Sequence, residues 1–74
     1  MKPAEVWLEG GAPLTVTWKR RPLQIAEIVD HWLEVGRWWE HEGECEFYLV
    51  ETRLGLLLLG FDLMFRQWYA KRIQ

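Results

Sequence analysis

The sequence predicts a small all-β protein, mainly antiparallel, and three observations support this fold class. Leu14–Lys19 alternates apolar and polar side chains, as a strand with one buried face does. Short apolar runs of this kind are separated by turn residues, such as Gly10-Gly11 and Arg53-Leu54-Gly55. Six tryptophans, three phenylalanines and two tyrosines supply the large apolar surfaces that a 74-residue chain needs for a core.

The clear strands lie along most of the chain, in this order: Val6–Leu8, Leu14–Lys19, Cys45–Thr52, Leu56–Phe61 and Gln67–Ile73. Tight connections favour a meander, and closing a meander on itself removes the exposed strand edges that promote aggregation. We therefore predict an SH3-like barrel or roll of five to six short strands, with one short helix as the alternative for part of the chain.

Residues 23–35 fit two secondary structures. The helical spacing is carried by Ile25, Ile28, Val29, Trp32 and Leu33. A strand instead places these residues on one face: Leu23, Ile25, Val29, Leu33 and Val35. The β-branched content and the neighbouring hairpin signals favour the strand, provided that it bends at Glu27 and His31. A second helix, through Leu57 to Arg72, competes with the last two strands and is weakened by Gly60.

Length and composition predict one domain over residues 1–74. A single cysteine, Cys45, cannot form an internal disulfide, and the N-terminus lacks the apolar run of a signal peptide. These features predict a cytoplasmic protein that does not enter a membrane. The formal net charge of −2 hides an asymmetry, because residues 27–46 hold seven acidic residues and one arginine, whereas both ends of the chain are mildly basic.

Several stretches carry a family resemblance: Val6-Trp7-Leu8, Val16-Thr17-Trp18, Ile28–Trp32, Gly36-Arg37-Trp38-Trp39, Glu42-Gly43-Glu44, Phe61-Asp62 and Trp68-Tyr69-x-x-Arg72-Ile73. Together they resemble a bacterial family of short Trp-rich domains of unknown function. Its members stand alone or form the C-terminus of Y-family polymerase-like proteins of the mutagenic repair cassette. The resemblance implies a β-rich fold and a link to DNA damage tolerance, with no established activity to transfer. Leu63-Met64-Phe65 replaces a polar, Gly-containing turn of the family, which predicts an exposed apolar patch.

No residue pattern points to catalysis, a metal or another cofactor. His31, His41 and Cys45 are ligand types but lack the paired spacing of structural zinc sites. A nucleophilic Cys45–His41 pair has no recognisable third group, and Gly43 interrupts the strand between the two. The row Glu40, Glu42, Glu44 and Glu46 is typical of a solvated strand face, or of a surface that receives a basic partner. We therefore expect a protein that is not an enzyme.

The predicted function is that of a non-catalytic interaction module with an unidentified protein partner, linked to DNA repair by the resemblance. Its surface is centred on Trp38 and Trp39, with Arg37 as a polar anchor, because tryptophan and arginine often dominate binding energy. The acidic row beside these residues disfavours DNA at that place.

Two alternatives remain open at this stage. A single-stranded nucleic-acid-binding barrel would use the basic residues Lys19, Arg20, Arg21, Lys71 and Arg72 with aromatic platforms. Trp18 and Trp68 are expected mainly in the core, because they alternate with polar neighbours. A self-associating structural protein, forming a homo-oligomer, would use Leu63-Met64-Phe65.

Overall fold

The computed structural model describes residues 1–37 and 42–74, with the side chains of Arg37 and Glu42 excepted. It contains seven strands: β1 Lys2–Ala4, β2 Val6–Glu9, β3 Ala12–Trp18, β4 Arg21–Arg37, β5 Glu42–Thr52, β6 Gly55–Asp62 and β7 Gln67–Arg72. All pairings are antiparallel, and this described part of the chain holds no helix. The all-β prediction is confirmed, with seven strands in place of five or six. No helix in the described ranges has the length and apolar character needed to cross a membrane.

The N-terminal segment joins the two ends of the sheet. The strand order is β1-β7-β6-β5-β4-β3-β2, so the first and last strands of the sheet are neighbours in sequence. Only Glu5 separates them, and its carbonyl accepts a hydrogen bond of 2.9 Å from the N–H of Thr17 in β3. The sheet therefore curls into a roll, one of the two predicted architectures. The described strands do not close into the predicted barrel, because β4 keeps an edge that none of them covers.

The ambiguous segment is a strand, β4, whose 17 residues make it the longest of the sheet. A straight strand of that length spans about 56 Å, whereas the longest dimension of the protein is 33 Å. Irregularities between Ile25 and Glu27 and between Ile28 and Asp30 are the bulges that bend it. The bulges also change which side chain faces inward: Ile28 packs against the core, and Val29, expected there, is exposed.

The core lies on the inner face of the roll. Its buried side chains are Val16, Leu23, Ile25, Tyr48, Val50, Leu57, Leu59 and Ala70. Trp18 and Trp68 are partly buried against this cluster, so their expected place at the core is confirmed. Ile25 comes from β4 and Leu57 from β6, the two strands that pair with β5, and Val16 comes from β3, which pairs with β4. Every long strand therefore contributes to one core.

A smaller apolar layer covers the outer face. Phe47 and Cys45 are almost fully buried there, and the Trp32 ring stacks on Phe47 with centroids 5.5 Å apart. Gly60 faces Phe47 across the β5–β6 ladder and leaves room for its ring. A Cβ at Gly60 would lie 3.1 Å from Phe47 Cε1 and 3.4 Å from Cys45 Sγ. A side chain at Gly60 would therefore require Phe47 to shift by a few tenths of an ångström.

Replacing Gly60 with alanine is expected to lower the free energy of unfolding by about 1 kcal/mol, because the added methyl group overpacks a site where Phe47 has little room to move. Urea denaturation measures the change. The matched control is Leu58→Val, two residues earlier on the same strand, where a half-buried side chain only becomes smaller. A Gly60→Ala protein that is more stable than the parent would contradict this packing account.

Candidate functional site

The basic residues of the chain converge at one end of the roll. Alternate turns of an antiparallel meander lie at the same end, which places the β3–β4 turn beside the β5–β6 turn. The first turn carries Lys19 and Arg20, and the second carries Arg53. The last residues of β7, Lys71 and Arg72, reach the same end because they pair with Leu58 and Leu57 near the start of β6. We call this region the basic end.

Two grooves at the basic end meet at Trp18. The first, of about 390 Å³, runs between the N-terminal segment and the end of β3, with Lys2, Lys71 and Arg72 on its walls. The second, of about 350 Å³, runs past the β5–β6 turn and is lined by Arg21 and Arg53. Trp18, Lys19 and Arg72 line both grooves. The half-buried indole of Trp18 therefore lies between two grooves whose walls carry cationic side chains.

One acidic side chain, Glu5, lies on a third groove beside Lys19 and Arg20, and among the described residues it forms no salt bridge with them. Six of the nine lysines and arginines line the two grooves, and neither groove contains an aspartate or glutamate. Across residues 1–36 and 43–74 the single side-chain salt bridge joins His31 to Glu46, at 2.9 Å. The Arg72 guanidinium donates to the backbone oxygen of Gln74 at 3.4 Å. The basic end is therefore a concentrated positive region on a protein whose total charge is negative.

The β3–β4 turn is held in a strained conformation. Lys19 and Arg20 have φ of 52° and 68°, both in the left-handed region, and Trp18 pairs with Arg21 around them. This two-residue loop has the positive φ values of a type I′ turn, which normally uses Asn-Gly. Side chains with a Cβ raise the energy of that conformation. Lysine and arginine are unusual at two adjacent positions with positive φ, and a role of these cations in function would explain why they occur there.

Each residue predicted for nucleic-acid binding can now be placed. Lys19, Arg21, Lys71 and Arg72 lie on the two grooves. Arg20 lies on the other side of the turn, along a groove that also contains Glu5. Trp68 contacts Phe61 and Tyr48, with ring centroids 4.8 Å and 5.8 Å away, and lies away from the basic end. Trp18 is therefore the aromatic residue that accompanies the cations.

Two further cations, Lys2 and Arg53, belong to the site although the sequence analysis did not single them out. A signal for Arg53 was present, because a meander brings every second turn to the same end. Lys2 gave no such signal, since its position depends on the pairing of β1 with β7, in which Lys2 faces Ala70. Long-range pairing of this kind leaves no local pattern in the sequence.

The opposite end of the roll carries Arg37, the one residue of the predicted protein-binding surface that the structure describes. Arg37 pairs through its backbone with Glu42 at the end of β4. Trp38 and Trp39 lie outside the described residues, as do Glu40 and His41, so the predicted aromatic surface stays a prediction. Leu63, Met64 and Phe65 are exposed, as the departure from the family pattern predicts. Asp62 organises their turn, because its Oδ1 accepts from the N–H groups of Met64 and Phe65 at 2.9 and 3.1 Å.

Two of the three candidate ligand residues, His31 and Cys45, are engaged in the fold, and His41 lies outside the described residues. His31 stacks on Tyr48 with centroids 4.1 Å apart, and its Nε2 is 2.9 Å from Glu46 Oε2. Burial, together with Asp62, Glu34 and Glu46, raises the pKa of the Cys45 thiol to about 12. A reactive cysteine needs the opposite shift. Among the described residues no three His, Cys, Asp or Glu side chains group as metal ligands.

The Cys45 thiol is expected to react with an alkylating reagent at pH 8 at least 100-fold more slowly in the folded protein than in urea, because thiolate formation is suppressed and the sulfur is buried. The raised pKa also predicts a pH dependence. The stabilisation is complete below the ordinary value of 9.0 and is lost as the pH rises toward 12, because the unfolded thiol ionises first. Cys45→Ala, the control, is expected to lack this part of the alkaline destabilisation. Equal alkylation rates in the two states would contradict the burial.

Comparisons with known protein families, characterised proteins and solved structures found no match to this chain.

Proposed function

We propose that this protein is a non-catalytic binding module whose basic end holds single-stranded nucleic acid. The observation that carries the proposal is the convergence of Lys2, Lys19, Arg21, Arg53, Lys71 and Arg72 on two grooves that meet at Trp18, without a carboxylate among them. Proteins that bind single strands combine a cationic groove for the phosphates with an aromatic side chain on which a base stacks.

Charge separation supports this proposal for a protein of negative total charge. The acidic residues Glu34, Glu44 and Glu46 lie on the distal part of the β4–β5 hairpin, far along the sheet from the β3–β4 turn. A polyanion approaching the molecule is thus attracted to the basic end and repelled from the other. The resemblance to proteins of the mutagenic repair cassette agrees with this ligand, and we propose a cytoplasmic role in DNA damage tolerance.

The proposal is tested by titrating the intrinsic tryptophan fluorescence with a twelve-residue oligothymidylate at low salt. We expect the oligonucleotide to quench the tryptophan fluorescence. The Trp18→Phe protein is expected to lose a larger share of this quenching than the Trp7→Phe protein, because Trp7 is exposed on β2 outside both grooves. Loss of stacking at one base weakens binding by about 1–3 kcal/mol when the aromatic ring is removed, so Trp18→Leu is expected to bind at least fivefold more weakly. Quenching that is the same in the Trp18 and Trp7 variants would remove Trp18 from the site.

A protein partner at the opposite end is a second proposal. It would use Arg37, Trp38 and Trp39, and the exposed patch Leu63-Met64-Phe65 favours it, because Met64 lies against Gly43 beside that hairpin end. The same patch would mediate self-association if the partner is another copy. Light scattering at high protein concentration separates these outcomes, since a heterologous partner leaves the isolated protein monomeric.

A further inference from the structure

The longest strand of the sheet has one edge that no strand of the described chain covers. β4 pairs with β3 through Arg21–Gln24, and from Ile25 to Arg37 it pairs with β5 alone. No other backbone hydrogen bond between described residues reaches this stretch from its open side. It exceeds the length of an ordinary strand, which is about six residues.

Two hydrogen bonds show which way the backbone of this edge points. The N–H of His31 donates to the neighbouring Asp30 Oδ1 at 2.8 Å. The carbonyl of Glu44, which pairs with Val35, is turned toward β6 and accepts from Leu63 N–H at 3.0 Å. Because backbone groups alternate in direction along a regular antiparallel strand, the N–H and C=O groups of Leu33 and Val35 point away from β5 and into solvent.

The side chains on this edge differ between the two faces of the sheet. His31, Leu33 and Val35 lie on one face, and Asp30, Trp32 and Glu34 lie on the other, where the Trp32 Nε1–H donates to Glu34 Oε2 at 2.8 Å. Leu33 is 53% exposed and Val35 is 77% exposed, although both lie on the side of the sheet that forms the core elsewhere. The other face carries the exposed carboxylates of Asp30 and Glu34. Between Ile25 and Val35 there is neither a lysine nor a proline, the residues that commonly protect an edge.

The carboxylates decide which kind of strand fits. In an antiparallel β4–β4 pair centred on Trp32, Asp30 of one copy would face Glu34 of the other, and like charges in facing strands are destabilising. A strand with lysine or arginine on that face meets opposite charge instead. Its alternate side chains then pack on Leu33 and Val35.

We propose that the open edge of β4, centred on Leu33 and Val35, takes up an extended segment of a partner protein in which apolar residues alternate with lysine or arginine. Backbone hydrogen bonds to Leu33 and Val35 hold the segment, its apolar side chains cover these two residues, and its cations face Asp30 and Glu34. This surface is separate from the basic end, so the proposal does not depend on nucleic-acid binding.

The test uses a capped eight-residue peptide of alternating valine and lysine, added to the ¹⁵N-labelled protein. We expect saturable binding, with amide hydrogen exchange of Leu33 and Val35 slowed at least tenfold. Two control peptides keep the length: one has glutamate in place of lysine, and one carries an N-methyl group on every residue, which removes the donors from both edges. Each control peptide is expected to bind at least tenfold more weakly than the first peptide.

Two variants of the protein complete the test. Leu33→Pro removes the outward N–H without removing a bond to β5 and is expected to weaken binding at least tenfold, whereas Leu33→Thr keeps the N–H and is expected to change it less than threefold. If Leu33→Pro does not fold, the N-methyl peptide decides alone on the parent protein. Equal binding of the N-methyl peptide, or no binding of the first peptide, overturns the proposal. Dimerisation of the protein through this edge assigns it to a second copy and overturns it as well.

Discussion

Reversing two charges at the basic end, Arg21→Glu together with Arg72→Glu, is expected to weaken binding of single-stranded DNA on the order of 100-fold at low salt. Each reversal removes an attraction to a phosphate and adds a repulsion, which is worth about tenfold at a partly desolvated surface. Both residues line grooves that meet at Trp18. Fluorescence anisotropy of a labelled oligothymidylate measures the change.

The matched control for this prediction is Arg66→Glu. Arg66 lies in the β6–β7 turn at the opposite end, and its replacement changes the total charge in the same direction as each single reversal. We expect Arg66→Glu to weaken binding less than threefold, against about tenfold for Arg21→Glu alone. Equal losses from Arg66→Glu and Arg21→Glu would mean that DNA senses only the total charge, and the basic end would not be the site.

Replacing the strained turn Lys19-Arg20 with Asn-Gly is expected to change stability and binding in opposite directions. Asparagine and glycine accept the positive φ values of 52° and 68° that these positions adopt, so the free energy of unfolding is expected to rise by about 2 kcal/mol. The same change removes two cations, one of which lines both grooves, and is expected to weaken DNA binding at least fivefold. Urea denaturation and anisotropy measure the two effects.

The control for the turn is the Lys19→Ala/Arg20→Ala protein. It loses the same two charges but keeps a Cβ at both left-handed positions, so it is expected to bind weakly without becoming more stable. If the Asn-Gly protein is no more stable than the alanine protein, the conformation of the turn stores no strain. If the Asn-Gly protein binds DNA as well as the parent does, the cations of the turn have no role in binding.

The fold class was predictable because its signals are local. Alternation in Leu14–Lys19 and in Cys45–Thr52 identifies strands whatever their partners are, and the β-branched residues favoured a strand for β4. The inward residues of β4 were less predictable. A bulge shifts the alternation by one residue, and nothing local shows that Ile28 faces the core while Val29 is exposed.

The candidate site was predictable only in part, because local sequence patterns do not show how distant strands are arranged. Lys19, Arg21, Lys71 and Arg72 were recognised as basic residues near turns or chain ends, but their convergence on Trp18 depends on how β3, β6 and β7 are arranged. Trp18 was assigned to the core, and it does pack there, yet its half-buried ring also lines both grooves. The alternation pattern of the sequence does not show that one residue both packs against the core and lines a groove.

Arg37, Trp38 and Trp39 led to the prediction of a protein partner, because tryptophan and arginine often dominate binding energy. The described residues shift the emphasis to two other surfaces, the basic end and the open edge of β4. We propose that the first binds a polyanion and the second a cationic strand. A protein with both surfaces is suited to holding a nucleic acid at one end and a protein segment at the other.

The salt dependence of binding tests the central claim most directly. Affinity for an oligothymidylate is measured by anisotropy at several salt concentrations between about 20 and 200 mM, a range over which counterion release dominates. With several phosphates held by the cations of the basic end, log Kd is expected to rise with log salt concentration with a slope of about 2–4, and the Arg21→Glu/Arg72→Glu protein is expected to show a slope smaller by more than 1. No binding at the lowest salt concentration, or an affinity that does not change with salt, would contradict the account.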